Sequence, residues 1–279
     1  MLQVLFTDAS AQVTPDSSVL KNSSVTVEKT STHSLYAGTG FGSNMVYLGT
    51  TISNDRPFGY ASVSYGFKDH LYFSATGYTL SGFTPFLAYY SLDMSFSHTF
   101  NSWFDIGLSL SRYNVTESLE DTLFSSFTYA NATLGFDWRI LYTQVSAGGL
   151  FAEDSWFYLQ ARNSRYFETP SFAGGKAFFS FDPYVNLIFG TIYTIETAED
   201  TTTTFPGHGG WHRPPQGSSS SYSQRFGLIE MDFGLPVAFS YDFFTFEVEP
   251  GYVLPFNSGT DTTSAEGFII LLSAFFRIF

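Results

Sequence analysis

The sequence has no cysteine in 279 residues, which excludes disulfides, thiolate metal sites and cysteine nucleophiles. Charge is also scarce: Asp, Glu, Lys and Arg make up 13% of the chain, about half the usual share of a soluble protein. The basic residues are the rarer, 12 Lys and Arg against 25 Asp and Glu, for a net charge of -13. That balance argues against a nucleic-acid partner, whose phosphates would be repelled. Long hydrophobic runs are missing too. Ser, Thr, Gly, Asn or Asp interrupts every apolar stretch, so no segment reaches the ~20 apolar residues of a membrane-spanning helix. Nothing inside the chain reads as an interdomain linker.

What is present is aromatic: Phe 33 and Tyr 18 bring the aromatic share to 20%, spaced by Ser, Thr, Tyr and Gly. That vocabulary favours strands. In "FLAYYSLDMSFSHTF" the positions Phe86, Ala88, Tyr90, Leu92, Met94 and Phe96 are apolar, and Ser91, Asp93, Ser95, Ser97 and Thr99 between them are polar. One face is greasy and the other wet. "WFDIGLSLSRY" repeats the pattern, with Phe104, Ile106, Leu108 and Leu110 set against Asp105, Gly107, Ser109 and Ser111, after the tight turn "NS".

The same reading predicts strands at 34–50, 58–67, 70–82, 85–100, 103–115, 124–139, 141–153, 156–167, 176–197, 224–241, 243–256 and 266–279. Pro183 and Pro236 fall inside two of them and cannot donate to a ladder. Long connections mostly alternate with short ones, "ED" and "ETPSFAGG" being the exceptions. This is the pattern of an up-and-down barrel with both termini on the short-turn side. Strands of ten or more residues suit a tilted bilayer crossing, whereas soluble strands average five or six. A soluble sandwich or lipocalin-like barrel is the alternative, but twelve such strands make too large a core and a shell too poor in charge. Upstream, residues 1–12 with Ala9-Ser10-Ala11 read as the remnant of an export signal or as an ordinary arm. Residues 13–33 read as a flexible polar leader, and 34–279 as the barrel.

The chain finishes "GFIILLSAFFRIF". With these strands before it, the sequence resembles the integral outer-membrane β-barrels of Gram-negative bacteria, which commonly end in an alternating apolar strand with a terminal aromatic. The stretch "FGLPVAFSYDFFTFEVEPGYVLPF" is similar in style to barrels of the Bacteroidota. The resemblance implies an all-β, up-and-down antiparallel transmembrane barrel of about 12 strands in the bacterial outer membrane, both termini periplasmic. It also implies outer-membrane lipid as surroundings and recognition by the barrel-assembly machinery through Phe275 and Phe279, with Leu271 at matching parity. Arg277 departs from that pattern and leaves the facing of the last strand open.

If the greasy faces meet lipid, the other faces line a lumen. The inward set is then Tyr60, Tyr72, Tyr78, Tyr89, Tyr142, Tyr158 and Tyr184, with Asp93, Asp105, Asp137, Asp182, Glu230, Asp232, Glu247 and Glu249, against Arg139 and Arg162. An acidic, water-filled lumen would favour cations. Twelve strands enclose less room than the larger porins, however, and tyrosines can fill it, so the reading favours a plugged or narrow lumen. Glu230, Asp232, Glu247 and Glu249 sit on one hairpin. Pairing Tyr241 with Phe244 sets Glu247 opposite Ala238 and Asp232 opposite Val253, which spreads the acids along the wall as lumen decoration rather than as an acid–base pair or divalent site.

Loop 198–223 holds His208 and His212, whose spacing would bind a metal only on a helix that Gly and Pro forbid. Its Trp211 and Arg213 suit contact with a partner. None of His33, His70, His98, His208 and His212 shows a motif tying it to a serine or acid, so no catalysis, cofactor or metal is expected. The functional expectation is a structural or accessory subunit of a larger outer-membrane assembly, partnered by other outer-membrane proteins or lipoproteins. The alternative is a passive cation-preferring channel. Leu92, Met94, Ile106, Leu108, Leu134, Leu187 and Phe246 are expected to face lipid, with Trp103, Trp138 and Trp156 at the membrane interfaces.

Overall fold

Two-faced strands need two environments, and a sheet closed on itself supplies them without leaving an edge. The computed structural model describes residues 32–47, 50–51, 53, 55–120, 125–152, 155–196, 201–204, 221–256 and 266–279. Twelve strands form the wall: β1 (His33–Gly42), β2 (Phe58–Phe67), β3 (Leu71–Leu80), β4 (Tyr89–Asn101), β5 (Phe104–Val115), β6 (Phe127–Asp137), β7 (Tyr142–Phe151), β8 (Ser155–Ser164), β9 (Tyr184–Glu196), β10 (Ser221–Gly234), β11 (Phe244–Pro255) and β12 (Gly267–Arg277). Each pairs antiparallel with its sequence neighbours. The barrel closes where β12 pairs with β1, from Tyr36 opposite Arg277 to Gly42 opposite Leu271.

β1 begins and β12 ends at one end of the barrel, called here the turn rim. The short connections 68–70, 102–103, 138–141 and 242–243 lie there. The opposite end is the loop rim. Residues 1–31, read above as an export-signal remnant or arm and a polar leader, lie outside the described residues, and His33 of the expected leader belongs to β1.

The two prolines bend strands without breaking the wall. Ala177–Phe181 continues into β9 across Asp182-Pro183, and β10 continues into Val237–Tyr241 across Leu235-Pro236. The missing donors are bridged by neighbours: Arg165 N donates to Pro183 O (3.2 Å), Asp182 N to Pro236 O (3.1 Å) and Leu235 N to Pro250 O (3.0 Å). β8, too, extends past the turn rim, where Phe167–Glu168 pairs with Ser180 and Phe181.

Three expectations need correction. The first strand stops at Gly42 rather than at residue 50; beyond it, Val46–Tyr47 pairs with Thr50–Thr51 in a small hairpin, and Met45 and Val46 are buried. Arg139 does not line the lumen. It occupies the exposed turn 138–141 with φ 71°, because Trp138 N donates to Leu141 O and closes a turn of four residues where a turn at Ile140 alone, with Arg139 still in the strand, had been expected. Trp156 is not at a lipid interface, since it lies on the inward parity of β8 and is buried.

Elsewhere the parity holds. Leu92, Met94, Leu108, Leu134 and Phe246 are exposed on the outside, whereas Tyr72, Tyr78, Tyr89, Tyr158 and Tyr184 are buried inside. Close packing of tyrosine against the wall needs space beneath the ring. Tyr184 finds it over Gly234, its partner in register, where any β-carbon would collide with the ring.

The lumen as the candidate functional site

Large inward aromatics on strands that curve toward each other must meet, and in the half of the lumen next to the loop rim they do. Tyr78 and Tyr89 stack with ring centroids 4.4 Å apart and a 13° interplanar angle, and both are at most 1% exposed. Tyr113 stacks on Phe127 at 4.7 Å and Tyr129 on Tyr158 at 6.0 Å. The hydroxyls of Tyr129 and Tyr158 are hydrogen-bonded to each other. These rings, with Leu80, Trp156, Ile188 and Leu271, form one contiguous buried cluster reaching from strand to strand across the interior.

The connections contribute to it. Met45 from the first loop and Leu119 from the third join the cluster, and the Tyr89 hydroxyl points at Met45 Sδ, 2.7 Å away. Val46 packs with Val253 and Ile269. Ser53 Oγ holds the Met45 amide at 2.9 Å, and Asn44 ties Thr51 and Asp55 together. A small self-bonded hairpin thus caps the aromatic layer.

Nearer the turn rim the lumen is polar and has two unlike walls. On β8 to β11 the acids are drawn into the wall. Glu230, Asp232, Glu247 and Glu249 are at most 6% exposed. Tyr184 donates to Glu249 Oε1 at 2.7 Å. Gln160 Nε2 donates to Asn186 Oδ1 (2.8 Å), and Asn186 Nδ2 to Asp232 Oδ2 (3.0 Å). Arg162 pairs with Asp182 at 3.5 Å and lies 4.1 Å above the Tyr184 ring. These mutual bonds offset part of the cost of burying polar groups at this density. The observed register sets Ala238 opposite Glu247 and Asp232 opposite Val253, the pairing expected from the turn near Asp242.

The facing wall, β2 to β5, is lined by small hydroxyls. Ser62, Ser64, Ser74, Ser95 and Ser109 are half-buried, and Ser74 donates to Ser64 at 2.8 Å. Asp93 accepts from Ser91 (2.8 Å), and Asp105 accepts from the Tyr142 hydroxyl (2.9 and 3.0 Å). Asp137 stands at the exposed end of β6, where it accepts the Arg139 amide.

The last strand presents Ile270, Leu272, Ala274, Phe276 and Ile278 outward. Leu271, Phe275 and Arg277 share the inward parity, and Leu271 is buried. Phe279 is exposed, its carbonyl accepting the Leu35 amide at 3.0 Å. Trp211, Arg213, His208 and His212 lie outside the described residues. His33, His70 and His98 stand close to the turn rim, where His70 Nδ1 contacts Ser97 O at 3.0 Å. Among the described residues no three His, Asp or Glu side chains gather as a metal site. The neutral pair Gln160 and Asn186 escaped the sequence reading, which attended to charge and tyrosine. The only signal was their even parity on strands whose other even positions are inward.

A closed antiparallel barrel of 12 strands with an apolar outer face is the fold of the bacterial outer-membrane β-barrels, and this chain has it. Among solved structures, LpxR from Salmonella typhimurium is similar with a TM-score of 0.50 at 7% identity, over 86% of this chain and 99% of that one. The KdgM porin (TM-score 0.48, 10% identity, 86% and 98% covered) and the NanC porin (0.46, 8%, 88% and 100%) are also similar. No family model and no curated protein sequence matches the chain.

Proposed function

We propose that this porin-like outer-membrane barrel is a structural or accessory subunit of a larger assembly, with its turn rim toward the periplasm. The observation that carries the reading is the buried aromatic cluster, joined by Met45 and Leu119, in the loop-side half of the lumen. A barrel narrowed in this way retains its outer wall and its loops as working surfaces. The loop expected at 198–223 is shorter in the structure, since Thr201–Thr204 pairs with the end of β9 and β10 begins at Ser221; the connection between them, with Trp211 and Arg213, is the proposed contact for outer-membrane proteins or lipoproteins. Phe275 and Phe279 are the proposed signal to the assembly machinery. The role is binding rather than catalysis.

Two measurements test this. Mild detergent extraction should bring the chain out with a defined outer-membrane or lipoprotein partner, and purified barrel in planar bilayers should stay silent. The second reading, a passive cation-preferring channel, is favoured by the buried acids on one wall and the half-open serine wall facing them. Discrete cation-selective conductance steps from the wild-type protein, with no co-purifying partner, would replace the first reading by the second.

A further inference from the structure

The outer wall is not uniformly covered by large side chains. Between β5 and β8 it is hollowed into an apolar groove of about 700 Å³. Two rows in register build it. One runs Leu110, Ala130, Gly149, Phe157 and the other Leu108, Ala132, Ala147, Leu159. Small residues on β6 and β7 make the floor, and the Leu and Phe side chains on either hand make the banks. Leu134 and Val145, the next outward pair toward the turn rim, close the lower end.

A charge lies just beyond the upper end. One step toward the loop rim the row is Arg112, Thr128, Phe151. Among the described residues of β4 to β8, Arg112 is the one charged side chain on the outward parity. It is exposed and forms no ion pair with a described residue. Its Nη1 donates to Thr128 Oγ1 at 3.2 Å, which draws the guanidinium over the column that begins with Ala130. A cation on a lipid-facing wall is costly unless it lies near the headgroups and meets an anion there.

We propose that this groove is a binding site for an anionic, phosphate-bearing membrane lipid, with one acyl chain along the Ala130–Ala132 floor and the phosphate on Arg112. Charge complementarity selects the occupant: the trough takes hydrocarbon, and the guanidinium at its headgroup end takes a phosphate. A second copy of the barrel would have to leave Arg112 without an anion.

The test is native mass spectrometry of the folded full-length barrel after incubation with phosphatidylglycerol or phosphatidylcholine of matched chains, with heat-modifiable migration verifying each variant's fold. Wild type should retain phosphatidylglycerol preferentially. Arg112→Gln should lower that retention roughly fivefold, the effect of one basic residue at a membrane surface, and Arg112→Lys should keep most of it. Ala132→Phe should lower retention of both lipids by filling the trough. If Arg112→Gln does not fold, Arg112→Met makes the same removal, and Ala147→Phe doubles for Ala132→Phe. Equal retention of the two lipids by wild type overturns the proposal. So does a loss on Arg165→Gln, at the other rim, as large as that on Arg112→Gln, or a lipid-free protein dimer.

Discussion

Tyr158 of β8 lies across Gly148 of β7, its partner in register, and its hydroxyl reaches Asn131 Oδ1 on β6 at 3.2 Å. A β-carbon on Gly148 would come within 2.5 Å of both the tyrosine hydroxyl and its ring. Gly148→Val should therefore lift Tyr158 off the wall, disturb its stack on Tyr129, and destabilise the barrel by about 1–3 kcal/mol. Gly107→Ala, whose new carbon would meet nothing nearer than 3.7 Å, should stay within about 1 kcal/mol. Urea midpoints for folding into lipid vesicles measure both. Equal losses would mean that the glycine is not there to seat the tyrosine.

Leu108 is 52% exposed on the outer wall, and Ser109 next to it is half-buried in the lumen. Leu108→Arg should impair insertion by roughly 2–4 kcal/mol, the range for a cation at the midplane of a barrel's lipid face. Ser109→Arg should be better tolerated, because the lumen is polar there. Vesicle-folding titrations compare the two directly, and a worse result for Ser109→Arg would reverse the facing of β5.

Tyr78 and Tyr89, stacked and at most 1% exposed, belong to the buried aromatic cluster. Cutting both back to Ala should open a path through the aromatic layer, and planar bilayers should then show conductance steps with a preference for cations that the parent barrel lacks. Silence from the double variant would place the barrier elsewhere, in the Met45 hairpin or the outer loops.

Trp103 and Trp138 are 54% and 60% exposed near the turn rim, and Trp138 Nε1 donates to Thr143 Oγ1 at 3.1 Å, with the apolar ring and polar edge both satisfied as at a membrane interface. Trp156 is buried in the lumen. Brominated lipids should quench the fluorescence of Trp103 and Trp138, each compared with its Phe variant, while Trp156→Phe should leave the quenched fraction unchanged.

Much of this barrel is legible in one dimension because strand parity is local. Once Leu108 is apolar and Ser109 polar, their opposite facing follows from the pleat, and the turn near Asp242 carries the Tyr241–Phe244 pairing all the way to Asp232 and Val253. The strand-like alternation that runs past Gly42 misled the reading at Met45, because a loop folded into the barrel mouth buries its side chains as a strand does. Trp156 misled it differently. Its place beside a short connection suggested a membrane interface, yet parity alone placed it inside.

The sequence by itself determined a twelve-stranded transmembrane barrel and, for most positions, which side chains meet lipid. Both are properties of nearest neighbours along the chain and of total composition. Only the tertiary structure decided which rings meet across the interior, how the buried acids are held, and where the outer wall is hollow. Each of these depends on strands distant in sequence: Tyr78 against Tyr89 and Met45, Asn186 between Gln160 and Asp232, Arg112 over Thr128. A side-chain period of two gives direction but not depth, and closure requires knowing which rings meet across the interior once the sheet has curved.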